Sequence, residues 1–331
     1  MKIIDLHCDT ISSLRRARKT GKSLSLRENP LHLDLRRMRQ GGYALQTFAA
    51  FVDSDEEEDV LAACREQIAL FYEETGKNSD WIGPVKSFAE YEENQKAGRM
   101  SALLSLEEGA VCRENPDILR ELYGLGARMM TLTWNHENGL GYPNHAELFG
   151  ENHLRVWPEE RGLKKAGFTM LEAMEEAGML ADVSHLSDGG FWDVASAAKR
   201  PFLASHSNAR AVTPHVRNLT DEMIRVIAER GGVIGINFCV AFLRPGWQPG
   251  DSRGGTREEM TAHMRHIRKV GGIDCLALGS DYDGIAEAPE MEECSRIQTL
   301  CETMEAGGFS TREIEKILYG NAERFLKENL R

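Results

Sequence analysis

Residues 1–10 read MKIIDLHCDT. A short apolar run, Ile3–Leu6, ends in His7 and Asp9, two side chains able to hold a metal or move a proton. On a strand, residues i and i+2 face one side, so His7 and Asp9 can reach one point. The same arrangement recurs along the chain. Glu107 follows the run Ala102–Leu106, and His185 follows Leu180–Val183 in DVSH. His206 follows Phe202–Ala204 in FLASH, and Asp281 follows Leu276–Leu278 in LALGSD. Ala44–Val52, Met129–Thr133 and Val233–Ile236 bring the apolar runs to eight. Each is short, and most are rich in residues suited to a buried parallel strand.

Helical patterns separate the runs. Asp55–Thr75 and Ser87–Ala97 follow the second run. Asn115–Leu125 follows the third, with Asn115 as N-cap and Pro116 in the first turn. Phe168–Ala177 precedes the fifth. Ser187–Lys199, Thr220–Arg230 and Thr256–Val270 follow the fifth, sixth and seventh runs, and Thr311–Asn329 ends the chain. About eight strand–helix units predict a closed (β/α)₈ TIM barrel spanning residues 1–331 as one domain. A doubly wound open sheet is the alternative. In a barrel, the C-terminal strand ends converge on one face, so residues as distant as His7 and Asp281 would share a pocket.

Composition narrows the function. The 331 residues carry a net charge of -12, which argues against nucleic acid or an anionic membrane as main partner. No run approaches the roughly 18 apolar residues of a membrane span. The seven cysteines form no CxxC pair, and several sit in apolar runs. They read as reduced, buried thiols, which points to the cytoplasm. A homodimer is the default expectation for a soluble oligomer. The segment Glu137–Leu163 breaks the rhythm with Gly139, Gly141, Pro143, Gly150 and Pro158. It reads as a lid or pocket wall, or equally as a surface insertion with solvated histidines.

Imidazole nitrogen with carboxylate oxygen suits Zn²⁺ or a neighbouring first-row ion. His7, Asp9, Glu107, His185 and His206 exceed the needs of one tetrahedral catalytic zinc, so two ions are expected. Glu107 is the natural shared ligand, because it has two oxygens. Taken singly, each residue has a plainer reading. An HxD tripeptide is often an ordinary strand end, and Glu107 or Glu108 could simply open a helix. Asp281 is a candidate general acid/base, while Asp281–Gly284 also reads as a turn. Arg217 could pair with a substrate carboxylate or lie on the surface.

The ordered series DLHCDT, LEEGA, GARMMTLTWN, DVSH, FLASHSNARAV, VRN, GSDYDG and GNAERFL resembles the membrane (renal) dipeptidase family, in a bacterial-type soluble form. The resemblance runs from about residue 4 to residue 326. It implies an amidohydrolase-type barrel with two Zn²⁺ ions, other divalent metals being able to substitute. His7, Asp9 and Glu107 would hold one ion, and Glu107, His185 and His206 the other. Asp281 falls on the family's catalytic Asp, and Arg217 on the residue that binds the substrate's terminal carboxylate. The implied reaction is hydrolysis of L-L and L-D dipeptides by a metal-bridging hydroxide. Other amides, esters or lactones are the alternative substrates, and a silent metal-binding barrel is the non-enzymatic one. Two positions depart from the pattern. Trp134 stands where mammalian-type enzymes have a substrate-contacting His, leaving Asn135 or His136 as substitutes. Cys239, in INFC, stands where those enzymes often have an aromatic residue.

Overall fold

The structure is a computed structural model and describes residues 1–144, 159–248, 254–286 and 290–331. Its centre is an eight-stranded, all-parallel sheet. The strands are β1 (Ile3–Cys8), β2 (Tyr43–Phe51), β3 (Ile82–Val85), β4 (Met100–Glu107), β5 (Ala127–Thr131), β6 (Leu180–Asp182), β7 (Ile234–Ile236) and β8 (Leu276–Leu278). The pairing order is β6-β5-β4-β2-β1-β8-β7, with β3 attached to β4. Parallel neighbours require crossovers, and helices supply them.

Seven of the eight apolar runs form named strands. The exception is 202–204, which makes two isolated parallel bridges, Leu203 to Asp182 and Ala204 to Ile234. This segment therefore connects the two ends of the pairing order. In its place the sheet contains β3, which the sequence does not announce. Its four residues, IGPV, include a glycine and a proline. Pro84 is exposed, as expected of a strand edge. Gly83 is required because a Cβ there would sit 2.3 Å from the Asn94 side chain. β3 pairs with Met100–Leu103, while β5 takes the Leu104–Glu107 half of β4. β3 thus lies at the end of the sheet away from Glu107.

The expected helices begin where their caps stand. Asp59 accepts from Ala62 N ahead of the helix Val60–Lys77. Ser87 and Glu90 form a capping box for Phe88–Lys96. Asn115 caps Pro116–Gly124. Each cap satisfies backbone donors that would otherwise lack partners. Two short helices, Thr10–Lys19 and Leu35–Gly41, were not apparent in the periodicity. The expected helix Thr311–Asn329 is present, with a π-helical stretch at Lys316–Gly320.

The core has two layers. Ile4, Leu6, Leu45, Leu103, Met129, Leu203 and Ala277 pack on one face of the sheet, where Phe325 and Leu326 of the last helix join them. Ile3, Cys8, Phe48, Leu104 and Leu106 belong to the other layer, with the surrounding helices. Strict alternation along β1 would put His7 with Ile3 and away from Ile4 and Leu6. A bulge prevents this: from Asp5 to Cys8 β1 advances three residues while β2 advances two, Gln46 to Phe48. Bulges re-aim side chains in this way. Cys8 then packs with the helices, and His7 and Asp9 turn toward the face of Leu6. β4 needs no such device, because Leu103, Ser105 and Glu107 alternate onto that face.

No helix among the described residues is long and apolar enough to cross a membrane. The expected lid at 137–163 falls largely on residues 145–158, including His145 and His153, which lie outside the described residues. Its two feet are anchored. Gly141 pairs with Leu163, and Asn144 N donates to His185 O at 2.9 Å.

Candidate active site

His7 and Asp9 leave β1, and Glu107 is the last residue of β4. His185 lies three residues beyond β6, His206 two beyond the Ala204 bridge, and Asp281 three beyond β8. All six are buried or nearly so. His185 and Asp281 adopt positive φ, 68° and 63°, which is uncommon outside glycine. Such conformations persist where the surroundings enforce them, and here both place a side chain in the pocket.

Glu107 is the centre of the cluster. Its Oε2 lies 3.1 Å from His7 Nε2. Its Oε1 lies 3.1 Å from His185 Nε2 and 3.7 Å from His206 Nε2. His7 Nε2 is also 3.3 Å from Asp9 Oδ2 and 3.8 Å from Asp281 Oδ1. The His7 and His206 rings stack at 3.9 Å. Donor atoms of His7, Glu107 and His206 lie within 4.8 Å of one another, as do those of His7, Asp9 and Asp281. These triplets divide the residues differently from the expected ligand sets. The individual distances favour a division at Glu107, because each of its oxygens faces its own imidazoles.

The hydrogen-bond network fixes the tautomers. Ser205 Oγ donates to Asp182, so it accepts from His206 Nδ1 at 2.7 Å. His185 Nδ1 donates to Asn135 Oδ1 at 2.9 Å. With both Nδ1 atoms protonated, the two Nε2 atoms present lone pairs, and they stand 2.9 Å apart. Facing lone pairs repel unless a cation lies between them. Two nitrogens on one tetrahedral zinc stand about 3.3 Å apart, close to this geometry. Asp9 Oδ1 is buried with no hydrogen-bond partner among the described residues. The donor set therefore fits divalent metal.

Electrostatics agree. Burial first, and then the positive charge of His7, hold His206 well below the ordinary histidine range, so it is neutral. Burial, reinforced by Asp9 and Asp281, raises Glu107 to about 8 against the pull of His7. Burial likewise raises Asp281 to about 6, opposed by His7. For His7, burial acts downward but Glu107 and Asp9 outweigh it, and its pKa rises well above the usual value. Dry, crowded carboxylates of this kind become favourable beside a divalent ion, which reverses the local charge balance.

A cavity of about 370 Å³ opens on the cluster. Asp9, Glu107, Trp134, Asn135, His185, Arg217, Cys239 and Asp281 line it. Its volume is at the small end for ligand pockets. Trp134 packs on Phe51 at 4.7 Å, and Asn135 holds His185 as described. His136 does not line the cavity; it pairs with Asp53 and Asp55. Arg217 is buried, and burial lowers its pKa. Its Nη2 makes one long bond to His206 O at 3.4 Å, and its Nε has no partner among the described residues.

Glu108 departs from the cluster. It sits at φ 107° and accepts from Ala110 N, opening the short helix Gly109–Cys112. The two readings of this pair thus divide between neighbours. The same holds for the DYDG turn. Asp281 enters the pocket, whereas Asp283 accepts from Thr10 Oγ1 and from His32 N at 2.7 Å.

Three supporting residues are not among those expected from the sequence. Asn237 Nδ2 donates to Asp281 Oδ2 at 2.9 Å. Asp182 and Ser205 orient His206. Asn237 had a signal, since it is the polar residue directly after the run Val233–Ile236. Ser205 had none, because a serine beside a histidine is commonplace.

The profile of the membrane dipeptidase family, peptidase family M19, matches residues 1–330. An uncharacterized dipeptidase of Schizosaccharomyces pombe is 30% identical over 347 residues, spanning 99% of this chain and 80% of the relative. A solved M19 metallopeptidase, dipeptidase AC, superposes with a TM-score of 0.90 at 26% identity, over 100% of this chain and 99% of its own. A metallopeptidase of Rhodobacter sphaeroides, solved with a phosphinate mimic of the dipeptide L-Ala-D-Ala, gives 0.88 at 25% identity, again over 100% and 99%. By this match along its length, the chain belongs to the membrane dipeptidase family, peptidase family M19, a family of metal-dependent dipeptidases.

Proposed function

We propose that the chain hydrolyses L-L and L-D dipeptides with two divalent ions, zinc in the first instance. His7, Asp9 and Glu107 would hold one ion, and Glu107, His185 and His206 the other. The observation that carries this reading is the split of Glu107, with one oxygen toward His7 and the other toward His185 and His206. Ions held there would activate a water at neutral pH and polarise the scissile carbonyl.

The remaining work belongs to the chain's own groups. Asp281 is held at Oδ2 by Asn237, which leaves Oδ1 toward the cluster. Burial places its pKa near 6, suited to taking a proton at neutral pH and passing it to the leaving amine. Arg217 offers a buried, under-committed guanidinium in the cavity wall. Its planar fork matches the free carboxylate of a dipeptide and so sets substrate length. Trp134 and Asn135 also line the cavity, and Asn135 holds His185. Acceptance of a D-residue at the C-terminal position draws support from the L-Ala-D-Ala mimic bound by the Rhodobacter sphaeroides protein.

The same reading extends to the fold. A closed (β/α)₈ barrel is supported by the Leu203 and Ala204 bridges, which link β6 to β7 through an eighth position. One domain over residues 1–331 is supported by a family match to residues 1–330. A reducing compartment suits seven unpaired cysteines.

The test is hydrolysis of a panel of L-L and L-D dipeptides by purified protein, before and after chelation, with Zn²⁺ restored. Cleavage that disappears on chelation and returns with zinc is expected. No cleavage of any dipeptide with zinc restored would refute the substrate assignment and favour another amide, an ester or a lactone.

A further inference from the structure

Residues 15–19 read RRARK. They lie on the helix Thr10–Lys19, which leaves β1 directly after His7 and Asp9. Three of its four cations are matched by acids. Arg15 pairs with Glu57 at 2.6 Å and Glu66 at 2.7 Å. Arg18 pairs with Glu73 at 2.7 Å and Glu74 at 3.1 Å. Lys19 pairs with Glu57 at 2.7 Å. Arg16 is the fourth. It is exposed, has no acidic partner among the described residues, and is the cation of this group that lines the active-site cavity.

The chain holds 52 acidic residues against 40 Lys and Arg, so acids to quench a surface arginine are plentiful. The cavity's own carboxylates near this wall are engaged elsewhere. Asp283 accepts from Thr10 and His32, and Asp9 is buried with its Oδ2 against His7. A guanidinium left open at a cavity mouth is an anion receptor awaiting an anion from outside. Its wall also differs from that of Arg217. Arg217 follows the 203–204 segment, and the pairing order sets β7 and β8 between that segment and β1.

We propose that Arg16 is a specificity-determining residue that favours dipeptides with a side-chain carboxylate on the N-terminal residue. The assignment rests on the dipeptidase reading above. Arg217 takes the C-terminal carboxylate, so the substrate's other residue extends toward the β1 wall. There an Asp or Glu side chain meets Arg16. The pair is solvent-accessible, so its effect is modest and sensitive to salt.

The experiment compares kcat/KM for L-Asp-L-Ala and L-Asn-L-Ala, which differ in charge and hardly in size. Wild-type enzyme is expected to prefer the acid about fivefold at low ionic strength, with the ratio shrinking in high salt. Arg16→Met should bring the ratio to about 1, and Arg16→Glu should invert it. Each ratio is internal to one protein preparation, so differences in folded fraction cancel. A wild-type ratio at or below 1, or a ratio retained in Arg16→Met, overturns the proposal while leaving the dipeptidase reading intact. Failure of zinc-loaded wild-type enzyme to cleave either substrate or L-Ala-L-Ala overturns both.

Discussion

Replacing Glu107 by Gln should abolish activity and yet stabilise the metal-free fold. Burial first, and then Asp9 and Asp281, raise this carboxyl from 4.5 to about 8, with the opposing pull of His7 already included. Below pH 4.5 it is protonated in both folded and unfolded chains and contributes nothing. From there upward the unfolded chain ionises it while the fold keeps its proton. Stability therefore falls as pH rises, and the loss is complete above about pH 8. At about 1.4 kcal/mol per pH unit, Glu107 costs the metal-free protein about 3 kcal/mol at pH 7 and about 1 kcal/mol at pH 5. Glutamine keeps the volume and carries no charge to desolvate. The assay is urea denaturation of chelator-treated wild type and Glu107→Gln at both pH values. The variant should be the more stable, and its advantage should grow from pH 5 to pH 7. Equal stability at pH 7, or an advantage that shrinks with rising pH, would refute the reasoning. Such a result would mean that the carboxylate is stabilised by its neighbours even without a cation.

Three further outcomes follow from the site. Asp281→Asn should retain bound metal and lose at least about 100-fold in kcat; near-normal turnover by a metal-replete variant would remove Asp281 from the proton path. Arg217→Ala should raise KM by about 30-fold or more while sparing metal content, and wild type should discriminate against C-terminally amidated dipeptides; loss of metal in the variant would contradict a substrate-binding role. Ser205→Ala should weaken metal binding by about 10–100-fold, because His206 loses the partner that fixes its tautomer; unchanged zinc affinity in competition with a chelator would show that the Asp182–Ser205 relay is dispensable.

Much of the centre was legible in the sequence because strand ends in a parallel α/β fold carry chemistry at predictable places. His7, Asp9, Glu107, His185, His206 and Asp281 each follow an apolar run, and the structure brings all six together. What stayed hidden has physical causes. The bulge that turns His7 inward depends on β1 advancing three residues against two in β2. Nothing in IIDLHC signals it, because register belongs to the pair of strands. β3 was missed because Gly83 and Pro84 are poor strand residues, tolerated at an edge where Asn94 packs close. The 202–204 run has the pattern of a full strand, yet it pairs through two residues, since its neighbours β6 and β7 are themselves three residues long. Glu108 and Asp283 resemble Glu107 and Asp281 in sequence. Their separation into capping and pocket roles follows from backbone conformation, with φ of 107° at Glu108. Arg217 is singled out by the resemblance, and its burial excludes the plainer reading of a surface arginine.

The central claim is that one carboxylate, Glu107, serves two metal ions. Its most direct test is anomalous diffraction at the zinc edge from crystals of chelated and zinc-reconstituted protein. Two peaks are expected on reconstitution, one beside His7 and Asp9 and one beside His185 and His206, with Glu107 between them. A single peak, or peaks remote from Glu107, would contradict the claim.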